Sequence, residues 1–248
     1  MTRRQRRPVP SSARMVSVES LIAGKEAVVF DFYGTLTPSA SDAVWERHAA
    51  VVADLLGVPL ARLAVALTES FGERVSGALG DATQTMRTLA TRLGARPSED
   101  RLNAAVALRQ QLQSTLFGPR PEALGVISGL RAAGLRIGLL SDCTWELPNA
   151  WPELPLAALV DAPVFSCVEG TRKPDERLFR TVATRLGVDP TACLYVGDGG
   201  GRELTGAAAV GMTAVLLAGP DWLPHGAIER EADWAGPRIS SLTELAPR

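Results

Sequence analysis

Apolar and polar positions fall into two rhythms along this chain. Short, nearly unbroken apolar runs occur at 27–31, 135–141, 192–198 and 213–218, with a weaker one at 163–167, and each of the four strong runs ends in small or acidic residues. Runs this short, with Val, Ile and Leu on both faces, predict strands of a parallel sheet covered on both sides. Between them the apolar spacing changes to three and four. Residues 121–133, closed by Gly134, and 174–186, closed by Gly187, read as helices with glycine C-caps. Strand and helix in alternation predict an α/β fold with a doubly wound parallel sheet. Ligands of such sheets bind beyond the carboxyl ends of the strands. Asp31, Ser141 and Asp198 all stand at such ends.

Residues 39–118 keep only the helical rhythm. Helices are expected at 42–56, 60–71, 82–93 and 98–116, with Ser39 and Asp42 fitting a capping box for the first. An all-helical block between the first and second core strands predicts a cap over the strand ends. The expected division is a basic, disordered tail at 1–24, an α/β core at 25–38 and 119–248, and a helical cap at 39–118. A last short strand near 236–240 closes the core.

Composition changes this picture little. Apolar residues make up 46% of 248, ample for a core, and a net charge of −1 gives no general attraction to nucleic acid. The basic tail lacks the apolar stretch of a signal peptide, and no run approaches bilayer length. A cytoplasmic protein with no nucleic-acid or membrane partner is expected. Cys143, Cys167 and Cys193 form an odd set without metal-ligand spacing and read as small buried thiols. Only two lysines, Lys25 and Lys173, stand against 24 arginines, so a well-placed lysine is informative.

The chemistry begins at Asp31, a carboxylate at the end of a buried strand and a good place for a nucleophile. Two residues on, where a second carboxylate would make an acid/base pair, stands Tyr33. Four segments then resemble the haloacid dehalogenase-like hydrolase superfamily, in chain order. They are Asp31-Phe-Tyr33-Gly-Thr35, close to that family's D-x-D-x-T loop; Ser141 closing its strand; Lys173 before Pro174; and Gly197-Asp198 followed by Glu203. The resemblance covers roughly residues 27 to 215. It implies a covalent aspartyl intermediate on Asp31, with Thr35, Ser141 and Lys173 holding the anionic group under attack; Asp142, also expected at the substrate, stands where the family often has a neutral residue and reads either as a local hydrogen-bonding group or as a displaced acid near the leaving group. It also implies an all-oxygen Mg²⁺ site from Asp31, the backbone carbonyl of Tyr33, Asp198 and Glu203, which would neutralise the repulsion between two anions. In the cap, Trp45, Arg47, His48 and Arg74 are within possible reach of a substrate; His48 reads more readily as a core or solvated residue.

Tyr33 departs from the phosphatase pattern, in which an aspartic acid at this position protonates the leaving alcohol and then activates water. Losing a general acid costs ~10²–10⁴-fold with a poor leaving group. The 2-haloacid dehalogenases of the family carry Tyr here and work without metal, because halide leaves without a proton. Asp198 and Glu203 argue the other way, since a metal-free dehalogenase has no use for them. The expected activity is therefore a Mg²⁺-dependent phosphatase acting on a small phosphorylated metabolite. A metal-free 2-haloacid dehalogenase is the alternative, and a degenerate binder of a phosphorylated ligand is the third reading.

Overall fold

A computed structural model describes residues 21–222 and 230–247; the basic segment at 1–20 and His225 lie outside the described residues. Six strands form one parallel sheet: β1 (Ala27–Phe30), β2 (Arg136–Ser141), β3 (Ala162–Phe165), β4 (Cys193–Gly197), β5 (Thr213–Leu217) and β6 (Arg238–Ile239). Their order is β3-β2-β1-β4-β5-β6, every neighbouring pair parallel. The expected α/β doubly wound sheet is present. From β1 the chain winds to β2 and β3, then crosses to β4 on the other side of β1. The switch point is thus the carboxyl end of β1, where a crevice opens between two neighbours. Phe30 sits level with Leu139 and Val196, so Asp31 emerges beside the ends of β2 and β4.

The apolar runs look continuous because each sheet face meets its own helices. On one face Val28, Phe30, Ile137 and Val196 pack on Val126, Ile127 and Leu130 of α6 (Ala123–Ala132). On the other, Val29, Leu140 and Tyr195 pack on Leu178, Phe179 and Val182 of α9 (Glu176–Leu186). Leu21, 6% exposed, already belongs to the first cluster, so the packed chain starts before residue 25.

Five α-helices lie between β1 and α6: α1 (Asp42–Leu56), α2 (Leu60–Glu69), α3 (Phe71–Val75), α4 (Ala82–Arg92) and α5 (Glu99–Ser114). Val52, Leu56, Leu63, Met86, Leu89 and Leu102 give this block a core of its own. Two local expectations fail. The N-cap of α1 is Ser41, without a side-chain cap bond, while the Ser39 amide donates to Asp221 Oδ2 at 2.7 Å. The single helix expected over 60–71 breaks at Ser70, whose hydroxyl takes the Ala66 carbonyl at 2.5 Å. That side chain shares the acceptor with the Ser70 amide, a back-bond that favours a bend, and at φ −85°, ψ 5° Ser70 leaves helical geometry before α3 begins. Two shorter helices follow the strands, α7 (Glu146–Ala150) after β2 and α8 (Ser166–Glu169) after β3, and α10 (Glu203–Ala209) follows β4.

Candidate active site

Asp31 leaves β1 with its N–H donating to the Val196 carbonyl at 2.9 Å. Tyr33 is extended and Gly34 turns the chain at φ +78°. Only glycine fits here for two reasons: the left-handed φ, and a Cβ that would stand 2.3 Å from Asp198 Oδ2. Arg120 clamps the turn from outside, Nε on the Thr35 carbonyl and Nη2 on the Gly34 carbonyl, both at 2.9 Å. Asp221 accepts from the same guanidinium at 2.9 Å, so loop, Arg120 and Asp221 form one framework. Such a framework fixes Asp31 before any ligand arrives.

Lys173 is the hub of the buried site. Its Nζ donates to Asp31 Oδ1 at 2.6 Å, to Glu203 Oε2 at 2.5 Å and to the Tyr195 hydroxyl at 3.2 Å. Tyr195 in turn donates to Glu203 Oε2 at 2.7 Å, and the Gly199 amide donates to Oε1 at 2.8 Å. Close approach of Glu203 to β4 requires Gly197, where a Cβ would lie 2.2 Å from Oε1. Asp142 Oδ1 accepts the Lys173 amide at 3.0 Å. Asp198 accepts from the Gly200 amide at 2.9 Å and from Arg230 Nε at 2.7 Å, while the Trp222 indole holds its carbonyl at 2.7 Å.

Burial and crowding of like charge set the electrostatics. Burial first, then the charge of Glu203, pushes Asp31 up to about 6 against the pull of Lys173. Burial likewise lifts Asp142 to about 6, and raises Asp198 and Glu203. Burial disfavours the Lys173 ammonium, yet Asp31 and Glu203 outweigh it and hold the lysine well above its ordinary value. At neutral pH the nucleophile candidate is therefore an ionised carboxylate beside a fixed ammonium.

The sequence-expected residues do not all converge. Asp31, Tyr33, Asp142, Lys173, Asp198 and Glu203 line one cavity of about 740 Å³ between the strand ends and the helical block. Thr35 is fully buried beside Asp31, close enough to favour its charge, but its Oγ1 has no hydrogen-bond partner. Ser141 is buried behind the cavity lining with its hydroxyl 3.5 Å from the Asp142 carbonyl. Trp45, His48 and Arg74 line the cavity, whereas Arg47 is exposed elsewhere. Tyr33 stacks edge-on to Phe32 at 5.0 Å; burial, then the charges of Cys143 and Glu146, keep its phenol protonated. All three cysteines are buried and free.

Sequence reasoning missed Tyr195, Arg230, Arg120 and Trp222. Tyr195 carried a readable signal, because a tyrosine inside an apolar strand needs a partner for its hydroxyl. The others pair with residues 24 to 101 positions away, where no local pattern reaches.

A divalent cation fits the donor set. Asp31, Asp198 and Glu203 each offer a carboxylate oxygen, all within 4.8 Å of one another, and hard oxygen ligands suit Mg²⁺. Asp31 Oδ2 makes no hydrogen bond among the described residues. Glu203 is the most committed of the three, accepting from Lys173, Tyr195 and the Gly199 amide, while each Asp198 oxygen accepts from one donor.

Comparison with known proteins agrees with this layout. A family model described as haloacid dehalogenase-like hydrolase matches residues 25–211. Glyceraldehyde 3-phosphate phosphatase of Methanopyrus kandleri is 28% identical over 197 residues, 77% of this chain and 83% of that protein. Phosphoserine phosphatase of Thermus thermophilus is 28% identical over 231 residues, 89% of this chain and 79% of that protein. Among solved structures, a 2-haloacid dehalogenase of Pseudomonas syringae superposes with a TM-score of 0.67 at 22% identity, covering 89% of this chain and 96% of its own, a likeness of fold.

Proposed function

The chain belongs to the haloacid dehalogenase-like hydrolases, and within that family we propose that it is a Mg²⁺-dependent phosphatase of a small phosphomonoester. The observation that carries this reading is the Asp31–Lys173–Glu203 cluster with Asp198 in the same 4.8 Å group. Asp31 Oδ2 attacks phosphorus while Oδ1 stays held by Lys173. The bond to the leaving oxygen breaks and an aspartyl phosphate forms. Water then attacks phosphorus, releasing inorganic phosphate and restoring the carboxylate. Lys173 faces charge that persists through both steps, while Thr35, buried beside Asp31, favours the ionised nucleophile. Asp31, Asp198, the Tyr33 carbonyl and Glu203 would hold Mg²⁺, which when bound offsets the repulsion between phosphate and Asp31.

Without a carboxylic acid at position 33, the leaving oxygen draws its proton from Asp142, which lines the cavity, or from water. Turnover should fall as the leaving group becomes more basic. The test is a panel of phosphate esters beside 2-chloropropionate, each with and without Mg²⁺, on wild type and Asp31→Asn. Phosphate release that needs Mg²⁺ and Asp31 supports the reading. Halide release that survives chelation would replace it with a metal-free dehalogenase, a reading favoured by Tyr33 and by the Arg230 guanidinium already seated on Asp198.

A further inference from the structure

Above the buried carboxylates the cavity changes character. Its upper walls come from α1, α2, α3, α5 and the turn after α5 and are largely apolar, including Trp45, Leu67, Phe71 and Leu116. Set into them is Arg74, 8% exposed, just beyond the break at Ser70. Its guanidinium donates to two neutral acceptors only, the Ser70 hydroxyl at 3.2 Å and the Leu67 carbonyl at 2.7 Å, and lies 5.8 Å from the Phe71 ring centre. A guanidinium carries five N–H donors, so most remain unused. It makes no ion pair with any described carboxylate. Burial, reinforced by the neighbouring charge of Arg109, pulls it down to about 9, so it is still a cation at neutral pH. Glu146, the acid whose charge acts on it, is already paired with Arg109.

Two further groups in the same wall lack partners. His48, 6% exposed, has a buried Nδ1 without a hydrogen bond. Gln113, 3% exposed, also lines the cavity and makes no side-chain hydrogen bond among the described residues. Buried polar groups in folded proteins are normally satisfied, and a buried unpaired charge is the most costly exception. Spare donors on Arg74, an unpartnered nitrogen of His48 and the Gln113 amide on one cavity wall make a place suited to an anion.

We propose that this wall is a specificity site for a second anionic group on the substrate, held by Arg74 with His48 and Gln113 beside it. Resting on the phosphatase reading, the proposal narrows the substrate class to phosphomonoesters with a mainly apolar body and a carboxylate or second phosphoryl group at the far end. A guanidinium binds either anion in a bidentate fork.

Three probes with one skeleton test it: para-(carboxymethyl)phenyl phosphate, its phosphonomethyl counterpart and its uncharged carboxamide. Charged hydrogen bonds of this kind are worth about 10- to 100-fold. Wild type should favour one or both anionic probes over the amide by that factor in kcat/KM, mainly through KM, and whichever anion leads identifies the group. Arg74→Met should collapse the ratio toward one. A wild type that treats all three alike, or a ratio that survives Arg74→Met, overturns the proposal. The wild-type comparison needs no variant, so misfolding of Arg74→Met would not shield the idea. Calorimetric binding of phenylacetate separates the two readings. Binding to wild type that Arg74→Met loses, with no probe hydrolysed, would sink the phosphatase and leave the anion site standing; no binding and no discrimination would sink the site.

Discussion

Replacing Lys173 by Met should destabilise the protein in a way that grows with pH. The lysine is 3% exposed and lies within 2.6 Å of two carboxylate oxygens, on Asp31 and Glu203. At an effective dielectric of about 20, each contact has a direct attraction of roughly 6 kcal/mol. Much of that only offsets the cost of burying three charges, so the net loss on removing one partner is about 3–5 kcal/mol. The pH dependence gives the sharper test. In wild type Asp31 has its proton affinity raised from 3.8 to about 6. Its effect on stability therefore runs between those values: the folded state holds a proton that the unfolded chain has lost, stability falls as pH rises from about 4 to 6, and it levels above 6. Without the ammonium, one carboxylate of the pair stays protonated well past 6. The variant then continues to lose stability by about 1.4 kcal/mol per pH unit relative to wild type.

Between pH 6 and pH 8 the gap should therefore widen by about 3 kcal/mol, reaching about 3–5 kcal/mol at pH 8. Urea melts of both proteins at the two pH values, with chelator present, measure it directly. Equal losses at both, or a loss under about 1 kcal/mol at pH 8, would show that Lys173 is not what neutralises Asp31 and Glu203.

Three further outcomes are expected. Tyr33→Asp should raise Mg²⁺-dependent turnover of an unactivated alkyl phosphate by about 10²-fold, read in a phosphate-release assay; unchanged or lower turnover would make Tyr33 a tuned component of the site. Arg230→Gln removes the cation that shares Asp198 and should tighten Mg²⁺ binding about tenfold, seen as a larger Mg²⁺-induced thermal shift. Weaker binding would contradict competition between guanidinium and metal. Gly34→Ala forces a Cβ into the Asp198 carboxylate and a side chain into φ +78°. It should cost at least about 1–2 kcal/mol and most of the activity; a stable, active variant would mean that the turn rearranges freely.

The sheet was legible because its faces are both covered: 27–31, 135–141 and 192–198 had to be apolar throughout, and they appear within one residue of β1, β2 and β4. Asp31, Lys173, Asp198 and Glu203 were legible because each stands at a fixed offset from a strand end or helix start. The break at Ser70 was not, since the spacing of apolar positions through 60–71 cannot register a hydroxyl competing for a carbonyl. Arg74 lies just beyond that break, and its Nε donates to the same Ser70 hydroxyl. Ser141 was overread for a related reason: a strand-end position fixes where the backbone goes, while the side chain still has to face the cavity, and its hydroxyl lies against the Asp142 carbonyl instead.

Charge is the strongest argument between the two hydrolytic readings. Asp31, Asp198 and Glu203 meet two cations, Lys173 and Arg230, in the same buried space, so the cluster holds one net negative charge before any substrate binds. A phosphomonoester adds up to two more. Anions this close in a site of low dielectric repel by several kcal/mol, and Lys173 is already committed to both of its carboxylates. A divalent cation taking the place of Arg230 on the same three carboxylates would bring the cluster from one negative charge to neutrality, which suits a phosphate dianion better. A haloacid monoanion needs less relief of this kind, and a site evolved for it would do better without Asp198 at all. The acid at the end of β4 is thus easiest to understand as part of a phosphate site, and the Arg230 that covers it as the placeholder a metal displaces.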